Sequence, residues 1–66
     1  MEITLNGEAR QVPDGLTAAK LVASLGLAGR RYAMELNGEL LPKSAHAGHA
    51  LSPGDRVEIV HAVGGG

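Results

Sequence analysis

The sequence predicts a small α+β domain in which one helix packs on one face of a four- to five-stranded sheet. Three observations carry that prediction. The segments "MEITL" and "RYAMEL" alternate apolar and polar residues with period two, the signature of half-buried strands. Ala18, Leu21, Val22 and Leu25 fall at i, i+3, i+4 and i+7, which lines one face of a helix. Two Asn-Gly pairs and a Ser-Pro-Gly-Asp run then supply the tight turns that elements this short require.

Taken in order, Met1, Ile3 and Leu5 point one way and Glu2 and Thr4 the other. Asn6-Gly7 readily adopts the two positive φ values of a two-residue hairpin, so strands are expected near residues 1–5 and 8–12. Pro13-Asp14-Gly15 is turn chemistry. The helix is expected to start after Thr17, whose hydroxyl can cap the free N–H groups of the first turn. Leu16 before the cap and Leu21 in the helix have the spacing of a hydrophobic staple. Gly26 suits the left-handed residue that ends a helix, with Leu27 packing back over the last turn.

"RYAMELNGELLP" repeats the first pattern, with Tyr32, Met34 and Leu36 on one side and a second Asn-Gly after them. The tetrapeptide "LNGE" thus occurs at 5–8 and at 36–39; because the flanks do not match, it reads as one hairpin chemistry used twice rather than a duplicated domain. Pro42 limits the short strand after the second turn. Ser44 is the expected cap of a single helical turn through His46, and Pro53-Gly54 the centre of a type II turn. "RVEIVHAV" carries four β-branched residues in eight and predicts a final strand. Leu16, Leu21, Val22 and Leu25 of the helical segment are expected to meet Ile3, Leu5, Met34, Leu36, Val57 and Ile59 of the sheet.

Composition narrows the functional classes. Sixty-six residues make one domain near the lower limit for folding without staples, and no cysteine is present to supply one. Sixteen Leu, Ile and Val residues, with Met34 and the single aromatic Tyr32, can fill one helix–sheet core but cannot also wall a buried active site. With net charge −1, no basic stripe and one aromatic residue, a nucleic-acid partner is not expected. The start "MEITLNGE" is acidic and alternating, unlike a signal peptide, and no apolar run is long enough to span a membrane; a cytoplasmic protein with no membrane partner is expected.

No side-chain constellation suggests catalysis. His46 and His49 have a spacing compatible with metal binding on a helical turn, but no third ligand lies near and Gly48 intervenes. They are expected to be solvent-exposed loop histidines, and His61 to sit at the rim of the core. Ser24, Ser44 and Ser52 have no evident His-Asp partners, and neither GxGxxG nor GxxxxGK occurs. The chain is therefore expected not to be an enzyme, to hold no metal and to bind no cofactor itself.

The sequence finishes in Gly64-Gly65-Gly66. Glycines bury nothing, and a frayed end or a cloning scar accounts for them as well as a working terminus does. An α-carboxylate, with a reference pKa of about 3.5, is anionic at neutral pH and a competent oxygen nucleophile toward an activated phosphate. Three extended glycines reach roughly 10 Å and, having no Cβ, can thread a narrow channel. Residues 1–63 would then form the folded domain and 64–66 its flexible tail. Val60 and Ala62 fall on the sheet face away from the helix; they are either a contact patch beside the tail or ordinary scattered surface apolars.

The length, the element order and three motifs ("LNGELLPKSAH", "LSPGDRVEIVHAV" and the final Gly65-Gly66) resemble the ThiS family, the sulfur carriers of thiazole formation in thiamine biosynthesis, along the whole chain. The resemblance implies a ubiquitin-like β-grasp with a mixed sheet. It also implies an adenylating (ThiF-like) partner that uses ATP and magnesium to form an acyl-adenylate at Gly66. A persulfide donor then supplies sulfur, and a thiazole synthase (ThiG-like) receives it from the resulting thiocarboxylate. By position Gly66 matches the acceptor glycine and Gly65 its neighbour; Gly64 extends the tail, and Val60 and Ala62 match apolar residues presented to the activating enzyme. The related small subunit of molybdopterin synthase is the nearest alternative, but such chains are usually longer and richer in aromatic residues, whereas Phe and Trp are absent here. A ubiquitin-like modifier joined through Gly66, or a β-grasp interaction module that does not use the tail, are further alternatives.

Overall fold

The structure is a computed structural model and describes residues 1–61. It contains β1 (Glu2–Leu5), β2 (Glu8–Gln11), α1 (Ala18–Ser24), β3 (Tyr32–Leu36), β4 (Glu39–Leu41), α2 (Lys43–His46) and β5 (Arg56–His61). The two hairpins form as their turns predict: Asn6 and Gly7 take φ of 49° and 84°, Asn37 and Gly38 φ of 52° and 86°. Such paired positive values are what Asn-Gly supplies at little strain. The strands of the first hairpin end one residue inside the expected limits, although the Val12 amide still donates to the Met1 carbonyl at 2.8 Å.

The strands order β2-β1-β5-β3-β4, with β5 parallel to β1 and antiparallel to β3. The sheet is therefore mixed. Its last strand occupies the centre, where β-branched Val57 and Ile59 are covered. Both Asn-Gly turns reach β5. The Asn6 amide donates to the Val57 carbonyl at 2.9 Å, and its side-chain oxygen accepts from the Ile59 amide at 2.8 Å, adding one rung to the parallel ladder. The Asn37 amide donates to the Arg56 carbonyl at 2.8 Å, and the Asn37 side-chain oxygen accepts from the Arg56 amide at 2.8 Å.

Helix α1 covers one face of the sheet. Thr17 caps it by accepting from the Lys20 amide at 3.2 Å. At the other end the Gly26 amide donates to Ala23 and the Leu27 amide to Val22, at 3.0 and 3.1 Å. With φ of 76° at Gly26, this pair of bonds is a Schellman motif. Ala18, Leu21 and Val22 are buried against Ile3, Leu5, Met34, Val57 and Ile59, while Leu16, Leu25, Leu27 and Leu36 pack partly buried around them. Each large side chain fully buried there contributes about 1.5–3 kcal/mol.

The expectations for Ser44, His46 and His49 need correction, and one core residue lies outside the expected set. Leu51 belongs to the buried core although its segment has no apolar period. It is carried in because the loop before it docks on the start of α1: Ala18 donates to the His49 carbonyl at 3.0 Å, and Leu51 to the Leu16 carbonyl at 2.8 Å. Ser44 does not cap α2. Pro42 occupies the cap position with an extended backbone and no side-chain bond, and Ser44 lies inside the turn.

His46 is not an exposed loop residue; it is 3% exposed, the one buried polar side chain among the described residues. Its Nδ1 lies 2.7 Å from the Tyr32 hydroxyl and its Nε2 2.9 Å from the Leu41 carbonyl oxygen. A ring with both nitrogens engaged can be buried at little net cost. His49 is half-buried.

Candidate functional site

The sheet has one face under α1 and one face open. Alternation along β5 buries Val57 and Ile59 and turns Arg56, Glu58 and Val60 outward. Register extends the open face sideways. Val60 lies opposite Ala33, Glu58 opposite Glu35, and Glu35 opposite Leu40 on β4. Val60 and Leu40, 72% and 67% exposed, are its large apolar residues. Glu35 and Glu58 stand directly across from each other, an arrangement of like charges that costs stability within the sheet. The open face therefore presents a β-branched apolar residue near the end of β5, with a carboxylate pair behind it.

Val60 occupies the outward position its alternation predicts. Ala62, Gly64, Gly65 and Gly66 lie outside the described residues, as does the expected boundary after residue 63. The last described residue, His61, is exposed and sits opposite Tyr32 at the start of β3. That pairing defines the root from which the tail sequence continues.

The root is built firmly. Tyr32 is held through its hydroxyl by His46 and carries the Lys43 ammonium 4.3 Å above its ring. Lys43 also donates to the Arg30 carbonyl at 3.0 Å, which draws α2 and the segment before β3 together. Arg30 and Arg31, which immediately precede Tyr32, and Lys43 over its ring are all exposed at the end of the sheet where Tyr32 pairs with His61. Sequence reasoning missed this cluster because Arg30 and Lys43 are thirteen positions apart. Their only shared signal is position beside elements that converge on folding.

On the helix side of the sheet, a shallow groove of about 400 Å³ runs between the end of α1 and β2. Leu5, Leu25, Leu27 and Ile59 line it, with Arg10 and His61 among its polar residues. No group of three or more His, Cys, Asp or Glu that could hold a metal occurs among the described residues. No helix of the described residues is long and apolar enough to cross a membrane.

Comparison with known proteins bears on the same features. The ThiS family model matches residues 3–66. A thiazole synthase of Paramagnetospirillum magneticum is 41% identical over 66 residues, and one of Magnetococcus marinus 35% identical over the same span. Each alignment takes in all of this chain and 20% of that protein, so the chain spans about a fifth of the length of these curated relatives. Among solved structures, the crystal structure of a thiamine biosynthesis protein (ThiS) from Geobacter metallireducens superimposes with a TM-score of 0.83 at 33% identity, covering the whole of both chains.

Proposed function

This chain belongs to the ThiS family, and we propose that it carries sulfur for thiazole formation in thiamine biosynthesis, loaded on the carboxylate of Gly66. The observation that carries this reading is the family match, which runs through the described domain and on to the final glycine. The likeness to the Geobacter metallireducens protein over both full chains supports it. The thiazole synthases that contain a segment like this chain support a thiazole synthase as the sulfur acceptor.

The chemistry belongs to the partners, and the chain is their substrate rather than a catalyst. In an adenylating (ThiF-like) enzyme using ATP and magnesium, a carboxylate oxygen of Gly66 attacks the α-phosphorus and pyrophosphate leaves. The terminal sulfur of a partner's persulfide then attacks the acyl carbon and AMP leaves. A thiol cleaves the resulting sulfur–sulfur bond, taking up the donor's sulfur as a disulfide and releasing the thiocarboxylate. Gly64 and Gly65 give that terminus a slim approach, and Val60 with Ala62 forms the adjoining partner-binding face. The exposure of Val60 beside the root is the structural support for that last role. The reading puts the chain in the cytoplasm together with these partners.

Co-expression with the adenylating enzyme and a sulfur donor is expected to replace one terminal oxygen by sulfur, visible in the intact mass. Deleting Gly66 is expected to abolish that change and leave the melting temperature as it was. An unchanged wild-type mass beside a demonstrably active adenylating enzyme overturns the carrier reading. Thiamine auxotrophy of a deletion strain is expected; a requirement for molybdenum cofactor instead assigns the carrier to the other pathway.

A further inference from the structure

Lys43 is placed by the fold, through the Tyr32 ring and the Arg30 carbonyl, but among the described residues no side-chain hydrogen bond or ion pair engages Arg30 or Arg31 beside it. Arg30 and Arg31 immediately precede Tyr32, which pairs with His61, and Lys43 is held over the Tyr32 ring and against the Arg30 carbonyl. Three of the six Lys and Arg residues of a chain with net charge −1 thus gather at one end of the sheet. Among the described residues the one ion pair joins the Met1 ammonium to Asp14, so none of the three cations has a carboxylate at ion-pair distance there. Like charges held together repel, and on an exposed surface nothing in the core requires the arrangement. The nearest acids on the open face, Glu35 and Glu58, lie three residues back along the strands from the Tyr32–His61 pair, roughly 10 Å at a strand's rise.

We propose that this basic collar docks on an acidic rim at the mouth of the adenylating partner's active-site channel. The inference rests on the carrier reading and adds the chemistry of the surface that receives the chain. Residues 62–66 can extend at most about 17 Å past His61. The collar therefore stays at the channel entrance while the terminus travels inward, and its partner is the protein rim rather than the nucleotide below. An acidic rim neutralises the crowded cations. It also sets orientation, because an approach shifted along β5 brings Glu35 and Glu58 against the same acids. Charges at a rim act mainly on encounter, so their effect belongs in KM and in salt dependence.

The test uses the full chain as wild type, R30E/R31E and R30K/R31K, with pyrophosphate release by the adenylating enzyme measured against carrier concentration. At about 0.05 M salt, R30E/R31E is expected to raise KM about tenfold with kcat unchanged. At about 0.5 M salt the gap is expected to close, since screening falls to within a few ångströms. R30K/R31K, which keeps both charges, is expected to behave as wild type at either salt. Both arginines are exposed, so the melting temperatures of all three proteins are expected to agree. A KM for R30E/R31E within twofold of wild type overturns the collar while leaving the carrier reading in place. A rise that survives high salt, or one shared by R30K/R31K, also overturns it. Failure of the wild type to release pyrophosphate overturns the carrier reading itself, and the collar with it.

Discussion

Both ring nitrogens of His46 are engaged, and their partners dictate its chemistry. The Leu41 carbonyl can only accept, so Nε2 carries the proton of the neutral ring and Nδ1 accepts from the Tyr32 hydroxyl. With the ring neutral, nitrogen chemical shifts are expected to report the Nε2–H tautomer. Tyr32→Phe removes one hydrogen bond and is expected to cost about 1 kcal/mol in denaturant unfolding. His46→Leu strands both the hydroxyl and the carbonyl and is expected to cost about 2–3 kcal/mol. Equal losses for the two variants would mean that the Leu41 bond contributes nothing. The burial was not legible in "SAHAGH" because it depends on Tyr32, fourteen positions earlier. Small neighbours and an intervening glycine look like any surface loop until that partner is placed.

At the scale of elements, the duplicated "LNGE" does more than close two hairpins. Each asparagine takes a positive φ, and each lends its side-chain oxygen to a β5 amide, Asn6 to Ile59 and Asn37 to Arg56. Asn6→Gly keeps the turn and loses only the added bond, so it is expected to cost about 1 kcal/mol and to speed hydrogen exchange at the Ile59 amide. Asn6→Ala adds left-handed strain and is expected to cost about 1 kcal/mol more. If the Ile59 amide exchanges at the wild-type rate in Asn6→Gly, the extra rung is absent in solution. The turn half of this role follows from the dipeptide alone. The ladder half does not, since Asn6 and Ile59 are 53 residues apart. The ends of α1 needed no such partner: Thr17, Gly26 and Leu27 act where sequence rules put them, because their bonds close within six residues.

For the whole molecule, the central place of β5 ties the domain to the tail root. Its pairing with β1 on one side and β3 on the other holds the strand from both edges. Val60 contributes little to that hold, being exposed on the open face. Val60→Asp is therefore expected to change unfolding free energy by less than about 0.5 kcal/mol while raising the KM for adenylation severalfold. Leu51→Ala is expected to do the reverse, costing about 2–5 kcal/mol and sparing KM at temperatures where it stays folded. If Val60→Asp leaves KM unchanged, the open face near the root is not the contact surface.

Hairpins, the helix with its caps, the type II turn and most of the core face were determined by the sequence itself. Each depends on residues within a few positions of one another, where backbone sterics and side-chain period act directly. The terminal glycines and the residues matching the ThiS family are likewise written in the chain order. Only the tertiary structure decided that the last strand lies parallel to the first, that Leu51 and His46 are buried, and that Lys43 comes beside Arg30 and Tyr32 where His61 pairs. Those outcomes arise from contacts between segments far apart in the chain. Their energies appear only once the sheet brings the segments together, and no local pattern encodes them.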